Sequence, residues 1–189
     1  MHLFLCNSSK PVALHNEEKP NLKRAFGEDR GDSLAAIGAF CLMPNHYHLL
    51  IKEIGEGGIT SFMRKLGTAY TMYFNIKYDR VGHLFSGQFR SRHVANDRYF
   101  QRVIQYIHCN PAELYEPDWK VGKVRSINLL EKKLIQYPYS SLRSFSGGYA
   151  ASPILSRECF DVVDVTPVSR MLREARAYYQ YASNDKFER

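Results

Sequence analysis

Two histidines one residue apart, His46-Tyr47-His48, are the first residues whose types and spacing suggest chemistry. Side chains on a strand alternate with period two, so both imidazoles leave on one side while Tyr47, Leu49 and Ile51 point to the other. Two neighbouring imidazoles on a rigid strand make half of a metal site, although such a pair also serves as ordinary structural histidines. A second group belongs to a helix expected from Asp97 to Asn110. At about 100° per residue, Tyr99, Arg102, Tyr106 and Asn110 fall on one stripe, beside an apolar stripe of Phe100, Val103, Ile104 and Ile107. A phenol can attack phosphorus, and an amide oxygen can ligate a hard divalent cation. With 13 tyrosines in the chain, packing is the competing use of any one of them, and Tyr99 is the rival on the same stripe. His83 and His93 frame a basic stretch and suit phosphate or plain solvent equally. Ser140 and Ser141 have no adjacent base, and no phosphate-binding glycine loop exists.

The elements that must position these groups follow from hydrophobic periodicity. Leu34 to Met43 is a continuous apolar run suited to a buried strand, Pro44-Asn45 turns the chain, and His46 to Lys52 reads as the returning strand. Leu3 to Cys6 reads as a first strand, and residues 8–33 as polar chain with a short helix near Leu22 to Phe26. After the GEGG loop, a helix capped by Thr60 or Ser61 runs to about Tyr78. Its stripe of Phe62, Leu66, Ala69, Tyr70, Tyr73 and Phe74 reads as core in preference to a base-stacking surface. Leu84 to Val94 alternates as a strand, with Phe85 and Phe89 on one face and Gln88, Arg90 and Arg92 on the other. Beyond Pro111 the pattern loosens, apart from an amphipathic helix from about Val168 to Ala182 and an end that looks frayed. The order suggests an α+β fold with a ferredoxin-like, antiparallel-rich sheet, helices on one face, and the tyrosine-bearing helix after the last strand.

A chain of 189 residues with 44% hydrophobic and 24% charged residues is ordinary globular protein of about one domain. Its longest apolar run is half of a membrane span, so no membrane partner is expected. No signal peptide is readable, and four scattered cysteines without a CxxC pair favour a reducing cytoplasm. Charge is uneven. Residues 61–110 hold 8 Lys/Arg against 2 Asp/Glu, and the flanking segments are nearly balanced. A basic patch of this kind suits a polyanion, although a solvated basic face carries the same charge.

MPNHYHLL (43–50), RKLGTAYTMYFN (64–75), GHLFSGQFRSR (82–92) and YFQRVIQYIHCNP (99–111) together resemble the single-tyrosine HUH transposases. The likeness is greatest to the REP-associated tyrosine transposases and related small insertion-sequence transposases. It covers residues 34–111 and extends weakly to YPYSSLRSF (137–145). The resemblance implies that His46, His48 and Asn110 bind a divalent metal, Mg²⁺ or Mn²⁺, and that Tyr106 is the nucleophile. It implies cleavage of single-stranded DNA beside a hairpin, leaving the 5′ end on a phosphotyrosine. Arg64, Lys65, Gln88, Arg90, Arg92 and Arg102 are the expected DNA contacts, through phosphates. Residues 1–146 would form the catalytic domain and 147–189 a partly helical C-terminal extension. Some insertion-sequence relatives donate the tyrosine to a partner protomer, so monomer and homodimer both stay open. Two other readings remain. A domesticated nucleic-acid-binding module would keep the basic stretch without needing Tyr106, and a water-using nuclease would keep the metal but want a carboxylate base.

Overall fold

The apolar run before Pro44 forms strand β1 (Ala35–Leu42), and β2 (Tyr47–Glu53) returns antiparallel beside it. The turn is closed by the Met43 amide donating to the His46 carbonyl at 2.8 Å. This computed structural model describes residues 1–11, 21–146, 150–159, 162–163 and 166–184. Eight α-helices complete the described residues: α1 (His2–Cys6), α2 (Leu22–Gly27), α3 (Gly58–Lys77), α4 (Asp97–Cys109), α5 (Ala112–Tyr115), α6 (Ile127–Gln136), α7 (Leu142–Phe145) and α8 (Val168–Asn184). Short 3₁₀ turns occur at Trp119–Val121 and Arg157–Cys159. The fold is α+β. Of the expected ferredoxin-like sheet, the described residues contain this hairpin and one isolated antiparallel bridge, Cys41 to Ser140.

The chain divides into two compact units, Met1–Ala36 with Ile51–Arg92, and Ile37–Leu50 with His93–Arg189. In the first, α1 packs on α2 and α3. The strand expected at Leu3 to Cys6 is instead the helix α1. All four residues are buried, and an apolar run this short carries no period that separates strand from helix. Helix α2 is capped by Asn21, whose side chain accepts from the Arg24 amide at 3.1 Å. The cap of α3 is Gly57, at a left-handed φ of 72°, and not Thr60 or Ser61, which lie within the helix. A Cβ on Gly58 would sit 2.3 Å from the Leu34 carbonyl oxygen, so the helix begins where only glycine lets the chain come that close.

The aromatic stripe of α3 is core only in its first half. Phe62, Met63 and Leu66 are buried, whereas Tyr70 is 38% and Tyr78 54% exposed. The outer rings gather against one another and against cations. Phe74 and Tyr78 have centroids 4.5 Å apart, Tyr70 lies 6.3 Å from Phe85, Lys77 lies over Tyr73 and Tyr78, and Arg80 over Phe74. The strand expected from Leu84 to Val94 does not form. The segment runs as bends and irregular chain, with Phe85 and Phe89 both exposed. Alternation specifies faces but supplies no partner strand, and Gly87 interrupts the run that follows the turn at Gly82 (φ 90°).

The second unit holds two buried clusters. Ala39 and Cys41 of β1 and Leu50 of β2 pack against Ile104 and Ile107 of α4, with Tyr137 and Val163. On another side, Cys109 and Ala112 join Trp119, Leu130, Leu134, Leu142, Val168, Met171, Leu172 and Ala175. Helix α6 lies in a stretch where the sequence pattern reads as loose. Ser126 caps it by accepting from the Leu129 amide, and Leu130 and Leu134, one turn apart, are its buried residues. Helix α8 packs along α4. The frayed end expected after residue 182 lies, from residue 185 onward, outside the described residues. No described helix is long and apolar enough to cross a membrane.

Candidate active site

Helix α4 is where the tyrosine and the histidine pair meet. Asn96, one residue before the expected cap, accepts from the Tyr99 amide at 2.9 Å and starts the helix. Ile104 and Ile107 then seat it on the face of the hairpin that also carries Leu50. Leu50 has the same strand parity as His46 and His48, so that packing turns the Tyr106 side of the helix toward the histidines. The His46 and His48 rings lie 4.9 Å apart, nearly perpendicular, and the Tyr106 ring lies 5.0 Å from His48. Asn110, at the C-cap, is 4% exposed. Its amide nitrogen donates to the Tyr106 carbonyl at 2.8 Å, which holds the side chain one turn beyond the tyrosine. His46, His48, Tyr106 and Asn110 are therefore brought together within one unit.

The electrostatics favour neutral imidazole at His48. Burial, reinforced by His46 and by the charge of Lys120, pushes its pKa down to about 4, against a hydrogen-bonding interaction with the Asn110 side chain that raises it. Its Nε2 is buried with no hydrogen-bond partner among the described residues. A buried lone pair left unmatched is costly in an ordinary core and is what a metal ligand requires. His46 is exposed, with Nδ1 2.7 Å from the Asn45 amide oxygen. An amide oxygen only accepts, so the His46 proton belongs on Nδ1 and Nε2 keeps a lone pair. The residues thus fit a divalent cation held by two imidazole nitrogens and the Asn110 carbonyl oxygen. Among the described residues no cluster of three His, Cys, Asp or Glu is placed to hold a metal, so the amide would be the third ligand.

The expected DNA contacts are spread over both units. Arg64, Gln88, Arg90 and Arg92 lie exposed in the first and Arg102 exposed in the second. Lys65 is half-buried, and its ammonium donates to the Ser8 carbonyl at 2.6 Å. Sequence reasoning passes over Asn45, although its place directly before His46 was visible, and over Lys120, whose effect on His48 only folding reveals. It dismisses Ser141 for want of a neighbouring base, yet Ser141 Oγ lies 2.8 Å from His108 Nε2.

A family model described as "Transposase IS200 like" matches residues 1–110. No curated protein and no solved structure matches the chain. The matched span is more than half of the chain and takes in the histidine pair, the basic stretch and the whole of α4, ending at Asn110. On that match the chain belongs to the IS200-like transposase family.

Proposed function

We propose that this transposase is a metal-dependent single-stranded DNA endonuclease and strand transferase that cuts near a DNA hairpin through a covalent 5′-phosphotyrosine. The observation that carries the reading is the Tyr106 ring 5.0 Å from His48, whose buried Nε2 has no partner among the described residues. His46, His48 and Asn110 would hold the divalent ion, Mg²⁺ or Mn²⁺. Two imidazoles make Mn²⁺ at least as suitable as Mg²⁺. When bound, the ion polarises a non-bridging oxygen of the scissile phosphate.

The protein's own groups do the rest. The Tyr106 oxygen attacks phosphorus and its phenolic proton passes to solvent. The phosphorus–O3′ bond breaks, and the departing 3′ oxygen takes up a proton. The 5′ phosphate stays on the tyrosine, conserving a phosphodiester that a 3′-hydroxyl can later attack in the reverse sense. The Asn110–Tyr106 hydrogen bond couples ligand and nucleophile on one helical turn, which limits the motion between them. Lys120, paired with Glu113 at 2.9 Å, adds a small positive influence near His48. Gln88, Arg90, Arg92, Arg64, Lys65 and Arg102 supply backbone contacts. The reading keeps residues 1–146 as the catalytic domain within a ferredoxin-like fold, residues 147–189 as its extension, and the cytoplasm as its compartment.

The test is incubation with end-labelled single-stranded hairpin DNA and Mn²⁺ or Mg²⁺. A protein–DNA adduct that survives denaturation, absent with chelator and absent in Tyr106→Phe, is the expected result. Cleavage without an adduct would instead mark a water-using nuclease.

A further inference from the structure

The polar group buried most deeply in the second unit lies beside the site and takes no part in the proposed chemistry. His108 is fully buried, as is Ser141, on a segment beyond the family match. Ser141 Oγ is 2.8 Å from His108 Nε2, accepts from the Phe40 amide at 2.9 Å and lies 3.2 Å from the Phe40 carbonyl. The Ser141 amide donates to that same carbonyl at 2.9 Å. One hydroxyl therefore joins three pieces of chain: strand β1, the segment running from Tyr137 into α7, and helix α4.

The proton arrangement that satisfies this junction is specific. His108 Nδ1 is buried without a hydrogen-bond partner among the described residues. A lone pair is cheaper to leave unmatched there than an N–H, so the ring proton belongs on Nε2 and points at Ser141. Ser141 Oγ then accepts twice, from the ring and from the Phe40 amide, and gives its own proton to the Phe40 carbonyl. Every group at the junction is matched except Nδ1.

The geometry explains what such a junction controls. At about 100° per residue, His108 lies some 160° around the helix from both Tyr106 and Asn110. A hydrogen bond some 160° around the helix from the reactive side chains adds a directional restraint on its rotation beside the non-directional packing of Ile104 and Ile107. Its other end is Phe40, on the strand that leads through the Met43–His46 turn to the histidine pair. We propose that His108 and Ser141 are positioning residues that set the rotation of α4, and with it the placement of Tyr106 and Asn110 against His46 and His48. This rests on the proposed reaction for its kinetic consequence but not for its geometric one.

The experiment compares His108→Leu, which removes the bond, with His108→Gln, whose side-chain amide can place a donor near the position of Nε2. Ser141→Ala is the milder third variant should the leucine protein fold poorly. Two quantities are read at a temperature where each variant is folded. The first is the nuclear Overhauser effect between the His48 and Tyr106 rings in metal-free protein. The second is the single-turnover rate of adduct formation on saturating hairpin DNA with Mn²⁺. His108→Leu and Ser141→Ala should abolish the ring-to-ring effect and slow adduct formation by about 100-fold, the size expected for a misplacement near 1 Å. DNA affinity should change less than about twofold, and His108→Gln should restore most of both readouts. A leucine or alanine variant that is less stable yet keeps the rings together and the wild-type rate would overturn the proposal, as would a glutamine variant no better than leucine. If wild-type protein forms no adduct, the reaction assigned above fails. The proximity of the two rings then still decides the positioning role.

Discussion

Tyr106 is the residue on which the proposed chemistry turns. Tyr106→Phe removes one oxygen, and as a half-buried ring it should cost no more than about 1 kcal/mol of stability. Adduct formation should vanish while Mn²⁺ and DNA binding persist, and peptide mass spectrometry of the wild-type adduct should place the nucleotide on Tyr106. Nucleotide found on Tyr99 would move the nucleophile two turns back. His108 yields a separate prediction. Burial holds its pKa at about 3, below the ordinary histidine value near 6.5, so the folded protein resists its protonation. Its contribution is complete above about pH 6.5 and is lost as pH falls toward 3, at about 1.4 kcal/mol per unit. His48, lowered to about 4, acts in the same direction. Urea midpoints should therefore drop between pH 7 and pH 5, and His108→Leu should flatten that fall. Strand and helix periods put the histidine pair and Tyr106 on defined faces, but it is the resemblance to the single-tyrosine transposases that singles out Tyr106 from Tyr99 on the same stripe. His108 was not legible in the sequence, because its partner is 33 positions away and only the folded chain brings them together.

Helices and strands were legible to the degree that each carries its own signal. Strand β1, strand β2 and α8 lie within about two residues of their expected spans, and α3 ends where expected but begins three to four residues earlier, at Gly58. The stretch from Leu84 to Val94 shows the opposite case. Its alternation is genuine, but strand formation requires a neighbour, and no local pattern specifies one. The same dependence hid the half-exposed state of α3, whose outer aromatic residues keep helical spacing whether or not anything covers them. As irregular exposed chain, the segment can still serve a polyanion. Arg90→Ala combined with Arg92→Ala should weaken single-strand binding and lower the slope of log affinity against log salt by about 1.4, near 0.7 for each phosphate no longer neutralised. An unchanged slope would remove these two residues from the interface. At the start of α3, Gly58→Ala should destabilise by about 1–3 kcal/mol, because its methyl meets the Leu34 carbonyl, a fixed backbone atom. Thermal unfolding of the variant measures this directly.

At the scale of the molecule, a transposase of this family has DNA as its partner, and uneven charge already pointed to a polyanion. The sequence did not reveal how much of the second core comes from beyond Asn110. Val168, Met171, Leu172 and Ala175 of α8 are all buried there. Removing the chain from residue 166 would expose apolar surface worth about 1.5–3 kcal/mol for each large side chain, against a typical total stability of only 5–15 kcal/mol. The shortened protein should lose its cooperative thermal transition and bind the dye ANS, and a native-like melt would show that α8 is dispensable.

Helix α8 also ties itself to the tyrosine helix by a polar link, the Gln105 amide donating to Glu174 at 2.5 Å, with Arg170 on the other carboxylate oxygen at 2.7 Å. Gln105 is the residue directly before Tyr106. On the ribosome α4 emerges long before α8, so for that interval its rear face has no cover and Gln105 no partner. Until Glu174 has left the exit tunnel, the tyrosine helix therefore lacks this polar link. A nascent chain that has not yet exposed α8 would carry the residues for cutting DNA without the cover that helix gives them.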